Sequence, residues 1–141
     1  MKQFLGKVAV LFFVSLLPLA VYAESKVQVR TISAEAFLQT LKKNPKANLL
    51  DVRSAEEFSE VKLPRAVNVP LPTLDTPEGL QKALQPFAPK EDVYILCRSG
   101  RRSTIAAEKF VAAGHNNVVV VEGGMNRLES LGATVEKKAA N

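Results

Sequence analysis

The 141-residue chain predicts an α/β fold: a mainly parallel five-stranded sheet with helices on both faces. Three observations predict it. Short, continuously apolar runs such as Val93–Leu96 and Val118–Val121 have the length and β-branched content of fully buried strands. Between such runs lie segments whose apolar residues recur at the three- and four-residue spacing of an amphipathic helix. The two signals alternate along the chain, an order that builds a parallel sheet covered on both faces.

The elements follow in turn. Val27–Ile32 alternates apolar and polar residues, as an edge strand does. Ser33 is placed to cap a helix running to about Leu41, with Phe37, Leu38 and Leu41 on its apolar face. Pro45 ends that connection, and Ala47–Val52 is the second strand. Ser54-Ala55-Glu56-Glu57 has the spacing of a capping box and opens a short helix with Phe58 and Val61 inward. Ala66–Val69 is a short strand between two prolines. Thr76-Pro77 supplies an N-cap and a first-turn proline for a helix to about Leu84. Strand Val93–Leu96 leads into a polar loop, after which Ser103 opens and caps a helix that Gly114 stops. Val118–Val121 is the last strand, Gly123-Gly124 a turn, and Met125–Leu131 a final helix closed by Gly132. Val135–Asn141 is expected to fray.

Residues 1–23 have the pattern of a signal peptide. Lys2 and Lys7 give a positive start, Val8–Leu17 an apolar stretch broken only by Ser15, and Val21-Tyr22-Ala23 a small-residue cleavage site. The apolar run from Val8 to Ala23 has 16 residues and contains Pro18, shorter than the ~20 a spanning helix needs. No stable membrane anchor is therefore expected. Cleavage leaves residues 24–141 as one domain, exported to the periplasm or secreted. It also removes two lysines from a chain of formal charge +5. The modest positive balance that remains suits small anionic substrates. No basic run interleaved with aromatics points to nucleic acid.

The chain has one cysteine, Cys97. An exported protein with an unpaired cysteine carries either a reactive thiol or an intermolecular disulfide. Cys97 ends a buried strand and is followed by Arg98-Ser99-Gly100-Arg101-Arg102-Ser103. Free backbone N–H groups, a helix amino terminus and three arginines then surround one sulfur. Such surroundings lower a thiol pKa from ~8.5 towards ~3.5–7.5. In open parallel sheets ligands bind beyond the carboxyl ends of the strands, and Cys97 stands at such an end. Arg98 and Arg101 are expected to face an anionic substrate, with Arg102 buttressing the loop. Gly100 allows close backbone approach or positive φ, and Ser103 can donate to sulfur. Asp51 and Arg53, at the end of the second strand, are expected to pair and fix neighbouring loops. Glu57 is either Arg53's partner or a helix cap. His115, beyond the far end of the helix that follows the loop, is not expected to act on Cys97. With no second cysteine and no histidine cluster, no metal site is expected.

Two stretches resemble a known family. Cys97-Arg98-Ser99-Gly100-Arg101-Arg102-Ser103 is similar to the active-site loop of rhodaneses. Leu49-Leu50-Asp51-Val52-Arg53, then Glu57-Phe58 and Pro64-Arg65-Ala66-Val67-Asn68-Val69-Pro70, resemble their upstream signature. The likeness covers about Val27 to Leu131, and export adds similarity to the periplasmic phage-shock type. It implies a thiosulfate sulfurtransferase that carries sulfur on Cys97 as a persulfide and hands it to cyanide or a thiol. The loop from Arg98 to Ser103 would bind the donor, with Asp51 and Arg53 in support. No cofactor is implied, and an exported thiol-redox protein is a candidate partner. The sequence departs from the family at Lys62, at Arg65 where relatives often have glycine, and at Leu128 near a common tryptophan. Two alternatives remain: a non-enzymatic persulfide carrier or anion-binding module, and a cysteine phosphatase or arsenate reductase. The latter chemistry uses Cys-x5-Arg, whereas Cys97 to Arg102 is one residue shorter.

Overall fold

A computed structural model describes residues 28–139. The segment read as a signal peptide lies outside the described residues. Five parallel strands form the main sheet: β1 (Arg30–Ile32), β2 (Asn48–Asp51), β4 (Val67–Asn68), β5 (Val93–Leu96) and β6 (Val118–Val121). Their order is β1-β6-β5-β2-β4, with β5 in the centre. Ile95 stands level with Leu50 on one side and Val120 on the other.

Period-two alternation divides the core. Leu50, Val52, Val93, Ile95, Cys97, Val118 and Val120 face α3 (Pro77–Leu84) and α4 (Arg101–Ala112). Leu49, Leu96 and Val121 face α1 (Ala34–Lys43) and α5 (Gly124–Ser130). Both faces are covered, so β6 is apolar at every position and wholly buried. Cys97 continues the β5 alternation into the α3–α4 layer. Its place is therefore set by the strand before the loop begins.

The caps fall where the sequence puts them. Ser33 accepts from the Ala36 N–H at 3.1 Å, and Thr76 from Gly79 at 3.1 Å. Ser54 and Glu57 close a full capping box on α2 (Ala55–Glu60).

Three local expectations are corrected, and one element is new. Helix α4 begins at Arg101, with Gly100 as its left-handed N-cap at φ 99°; Ser103 is a buried residue inside the first turn and caps nothing. Val61 does not continue α2 but starts β3 (Val61–Lys62). The described part of the tail is not frayed, because β7 (Glu136–Lys137) pairs antiparallel with β3 and the Lys138 N–H donates to the Glu60 carbonyl at 3.0 Å. A 3-10 turn at Leu71–Asp75, which no periodicity announces, precedes α3. Among the described residues no helix is long and apolar enough to cross a membrane.

Phe110 is fully buried and packs α4 against β5 and β6. Phe110→Ala is expected to cost roughly 3–5 kcal/mol, the usual range for emptying a buried aromatic site. A urea titration should show a lower midpoint at unchanged slope. An unchanged midpoint would show that α4 does not depend on that contact.

Candidate active site

Cys97 follows directly on the carboxyl end of β5, the central strand, and is only 1% exposed. After β5 ends at Leu96, Cys97 is followed by only three residues, Arg98 to Gly100, before α4 begins. The loop is thus shorter than the five residues the sequence suggests. Its compactness aims backbone donors at the sulfur: the Gly100 N–H reaches Sγ at 3.1 Å and the Ser103 N–H at 3.4 Å. Gly100 has the positive φ that this reversal needs.

A loop with its N–H groups turned inward must turn carbonyls outward. The Cys97 carbonyl accepts from the Met125 N–H at 2.8 Å, and the Arg98 carbonyl from Asn126 at 3.0 Å. Both donors belong to the first turn of α5. That docking requires Gly124: a Cβ there would lie 2.3 Å from the Cys97 carbonyl oxygen, at a φ of 52°. Sequence reasoning took Gly123-Gly124 for a plain turn and missed this role. Two adjacent glycines before a helix were the available signal.

Glu57 is the other part that sequence reasoning placed only loosely. It does not pair with Arg53. Arg102 binds it as a fork, Nη1 to Oε2 at 2.6 Å and Nη2 to Oε1 at 2.8 Å. Arg98 donates Nε and Nη2 to the same Oε1 at 3.1 and 3.0 Å. One carboxylate, itself fixed by the capping box, therefore ties both sides of the Cys97 loop to α2. The Arg102 guanidinium, against the opposing effect of burial and with help from the Ser54 amide and Arg98, holds the Glu57 carboxyl far below the usual carboxylate range. The three arginines are consequently unequal. Arg98 and Arg102 are committed to Glu57, while exposed Arg101 makes no ion pair among the described residues.

Asp51 and Arg53 form the expected buried pair. Asp51 accepts from Arg53 Nε and Nη2 at 2.8–3.0 Å and from its backbone N–H at 2.9 Å. Arg53 Nη2 also donates to the Val61 carbonyl at 2.6 Å, which fixes β3. Asn68 bridges the carbonyls of Asp51 and Arg53. Neither charge bonds to the sulfur; the pair fixes the end of β2 and the start of β3. His115 sits at the opposite end of α4 with its ring edge-on to Phe110. Leu128 is core, and Lys62 pairs with Glu136 away from the loop.

Burial pushes the Cys97 thiol up, but the neighbouring Ser103 hydroxyl and the amides of Ser103, Gly100 and Ser99, all of which favour the anion, outweigh it and leave the thiol below its ordinary value. The Ser103 hydroxyl is buried with no hydrogen-bond partner in the resting geometry. Its O–H is free to rotate, so it belongs to the thiolate state, in which a charged acceptor lies beside it. The site can therefore hold an ionised sulfur nucleophile in a ring of donors.

Two variants test this framework. Gly124→Ala is expected to separate α5 from the loop and so abolish rapid Cys97 alkylation while far-UV circular dichroism stays native. Unaltered alkylation would sink the docking role. Glu57→Gln tests the clamp through pH. A carboxyl depressed in the folded state stabilises fully above its unfolded pKa of ~4.3 and loses that contribution as pH falls. The stability gap between wild type and Glu57→Gln should be full at neutral pH and shrink progressively as pH falls below about 4. A gap independent of pH would show that the carboxylate charge is not what matters.

Comparison with known proteins agrees with this fold. Residues 33–130 match the rhodanese-like domain. Thiosulfate sulfurtransferase 18 of Arabidopsis thaliana is 33% identical over 111 residues, covering 72% of this chain and 77% of that protein. YrkF of Bacillus subtilis, whose name proposes a sulfur-carrier role, is 33% identical over 103 residues, 73% of this chain. The chain spans 52% of YrkF and 22% of the Candida albicans adenylyltransferase and sulfurtransferase UBA4. A rhodanese-like domain protein of Staphylococcus aureus superposes with a TM-score of 0.63 at 28% identity, over 79% of this chain and all of that one. The five-stranded parallel sheet with its covering helices is thus that of relatives, and the chain belongs to the rhodanese-like family of sulfurtransferases and sulfur carriers.

Proposed function

We propose that this protein is an exported sulfurtransferase that takes sulfane sulfur from thiosulfate and passes it to a thiol, or to cyanide in an assay. The observation that carries the reading is the Cys97 sulfur, buried at the end of β5 and receiving N–H bonds from Gly100 and Ser103. The Cys97 thiolate attacks the outer sulfur of thiosulfate. A new S–S bond forms, the S–S bond of thiosulfate breaks, and sulfite leaves with the electron pair. The persulfide sulfur lies in the donor ring of the loop. An acceptor thiolate then attacks that terminal sulfur and releases Cys97 as thiolate, completing a ping-pong cycle. The chain's own groups supply ionisation and anion stabilisation, and no step calls for a metal or organic cofactor.

Arg101 is the loop cation best able to meet the donor, since Glu57 holds the other two. Export rests on the sequence of residues 1–23. The name given to YrkF supports a second reading, a sulfur carrier that accepts sulfur without rapid turnover.

The experiment is intact-mass measurement after incubation with thiosulfate, beside a steady-state assay. The expected result is a gain of one sulfur atom on wild type and none on Cys97→Ser, with catalytic turnover to an acceptor thiol. A labelled protein without turnover would favour the carrier. No label would overturn the sulfur reading. Because the folded site favours the thiolate, alkylation of Cys97 should remain fast well below pH 8.5. Arg101→Ala should raise KM for thiosulfate several-fold with a smaller change in kcat, and added salt should weaken wild type in the same sense. Unchanged kinetics in Arg101→Ala would remove that residue from the donor site.

A further inference from the structure

A second concavity lies on the α1–α5 side of the sheet, and none of its lining residues belongs to the Cys97 loop. It is a groove of about 620 Å³, within the ~300–1,000 Å³ of small-molecule sites. Leu38, Leu41, Leu63 and Leu131 form its walls. Its charges are asymmetric. Glu35 lines it, but that carboxylate is engaged by Arg127. Lys42 and Arg65 also line it, and neither makes an ion pair or side-chain hydrogen bond among the described residues.

Arg65 is there at a backbone cost. Leu63-Pro64-Arg65-Ala66 closes as a turn through the Ala66 N–H to the Leu63 carbonyl at 3.2 Å, with proline second and a positive φ third. That arrangement suits glycine at the third position. Arginine holds it at φ 66°, the only positive φ outside glycine among the described residues. A residue kept in a strained conformation is a reason to ask what its side chain does. This one adds a second cation to the lining of an apolar groove that already has a lysine.

We propose that this groove binds an amphipathic carboxylate: an aliphatic chain along the leucine walls, with its head group between Lys42 and Arg65. Apolar burial supplies most of the affinity, and the two cations select an anionic head over a neutral or positive one.

The test is titration of the full 15N-labelled chain with decanoate, followed by amide chemical shifts. Saturable shifts are expected at residues 38–42, 63–66 and 131–134, with residues 97–103 unmoved. Decanol and decylamine should bind at least five-fold more weakly. Arg65→Gly should weaken decanoate at least five-fold while raising the urea midpoint, because it removes both the cation and the strained φ. Lys42→Gln, a change at a helix surface, should weaken decanoate without altering the fold. Several results would overturn the proposal: no saturable shifts below the micelle concentration, shifts centred on the Cys97 loop, decanol binding as tightly as decanoate, undiminished affinity in both variants, or a lower urea midpoint for Arg65→Gly.

Discussion

A peptide loop cannot point its N–H groups at one sulfur without turning carbonyls the other way. Buried carbonyls left unpaired cost on the order of 1–3 kcal/mol each, so this constraint organises the molecule around Cys97. The first turn of α5 supplies donors for the carbonyls of Cys97 and Arg98, and the Thr104 N–H and hydroxyl both take the Gly100 carbonyl at 3.0 Å. The α5 amides also need acceptors, since a helix start has none of its own. Loop and helix satisfy one another. Gly124 is the geometric condition of that exchange, because any Cβ would stand between the two backbones.

Charge is handled in two tiers. Asp51 and Arg53 are buried and bonded to one another and to backbone; removing one partner of such a pair would leave an uncompensated charge, at roughly 3–5 kcal/mol. That pair is architecture. Glu57 works nearer the surface, where an ordinary ion pair contributes ~0–1 kcal/mol. Its value lies in geometry, because four guanidinium bonds and a helix cap meet on one carboxylate. It fixes Arg98 and Arg102 and gives the loop a set outline. The chain thus carries three arginines beside its thiol and leaves one, Arg101, uncommitted among the described residues.

Much of this was legible in the sequence. The buried strands show as apolar runs, since both faces of the sheet are covered. Ser33, Ser54 and Thr76 mark helix starts because side-chain caps are local chemistry. The cysteine at a strand end, followed by a cationic loop, marks the site. What could not be read depends on distant partners. Glu57 has the spacing of a cap, and nothing local says that it also binds arginines 41 and 45 positions later. The tail looks free because its partner, β3, is two residues long and appears as the end of a helix. Ser103 resembles an N-cap because its hydroxyl type fits, whereas Gly100 takes that position through φ alone.

The resting loop is matched to a charge it does not yet bear. Two amides address Sγ, and the Ser103 hydroxyl is buried without a partner. An orphaned hydroxyl penalises the neutral state, and a thiolate beside it removes the penalty. Because the folded thiol ionises below its ordinary value, its contribution to stability grows as pH rises through the folded pKa, is complete above the unfolded one, and is lost on acidification. The fold therefore gains most when Cys97 is anionic, the form a sulfur nucleophile needs. Stability and reactivity draw here on the same donors, so a substitution that quiets the loop by pairing or deleting Ser103 would favour the inert thiol.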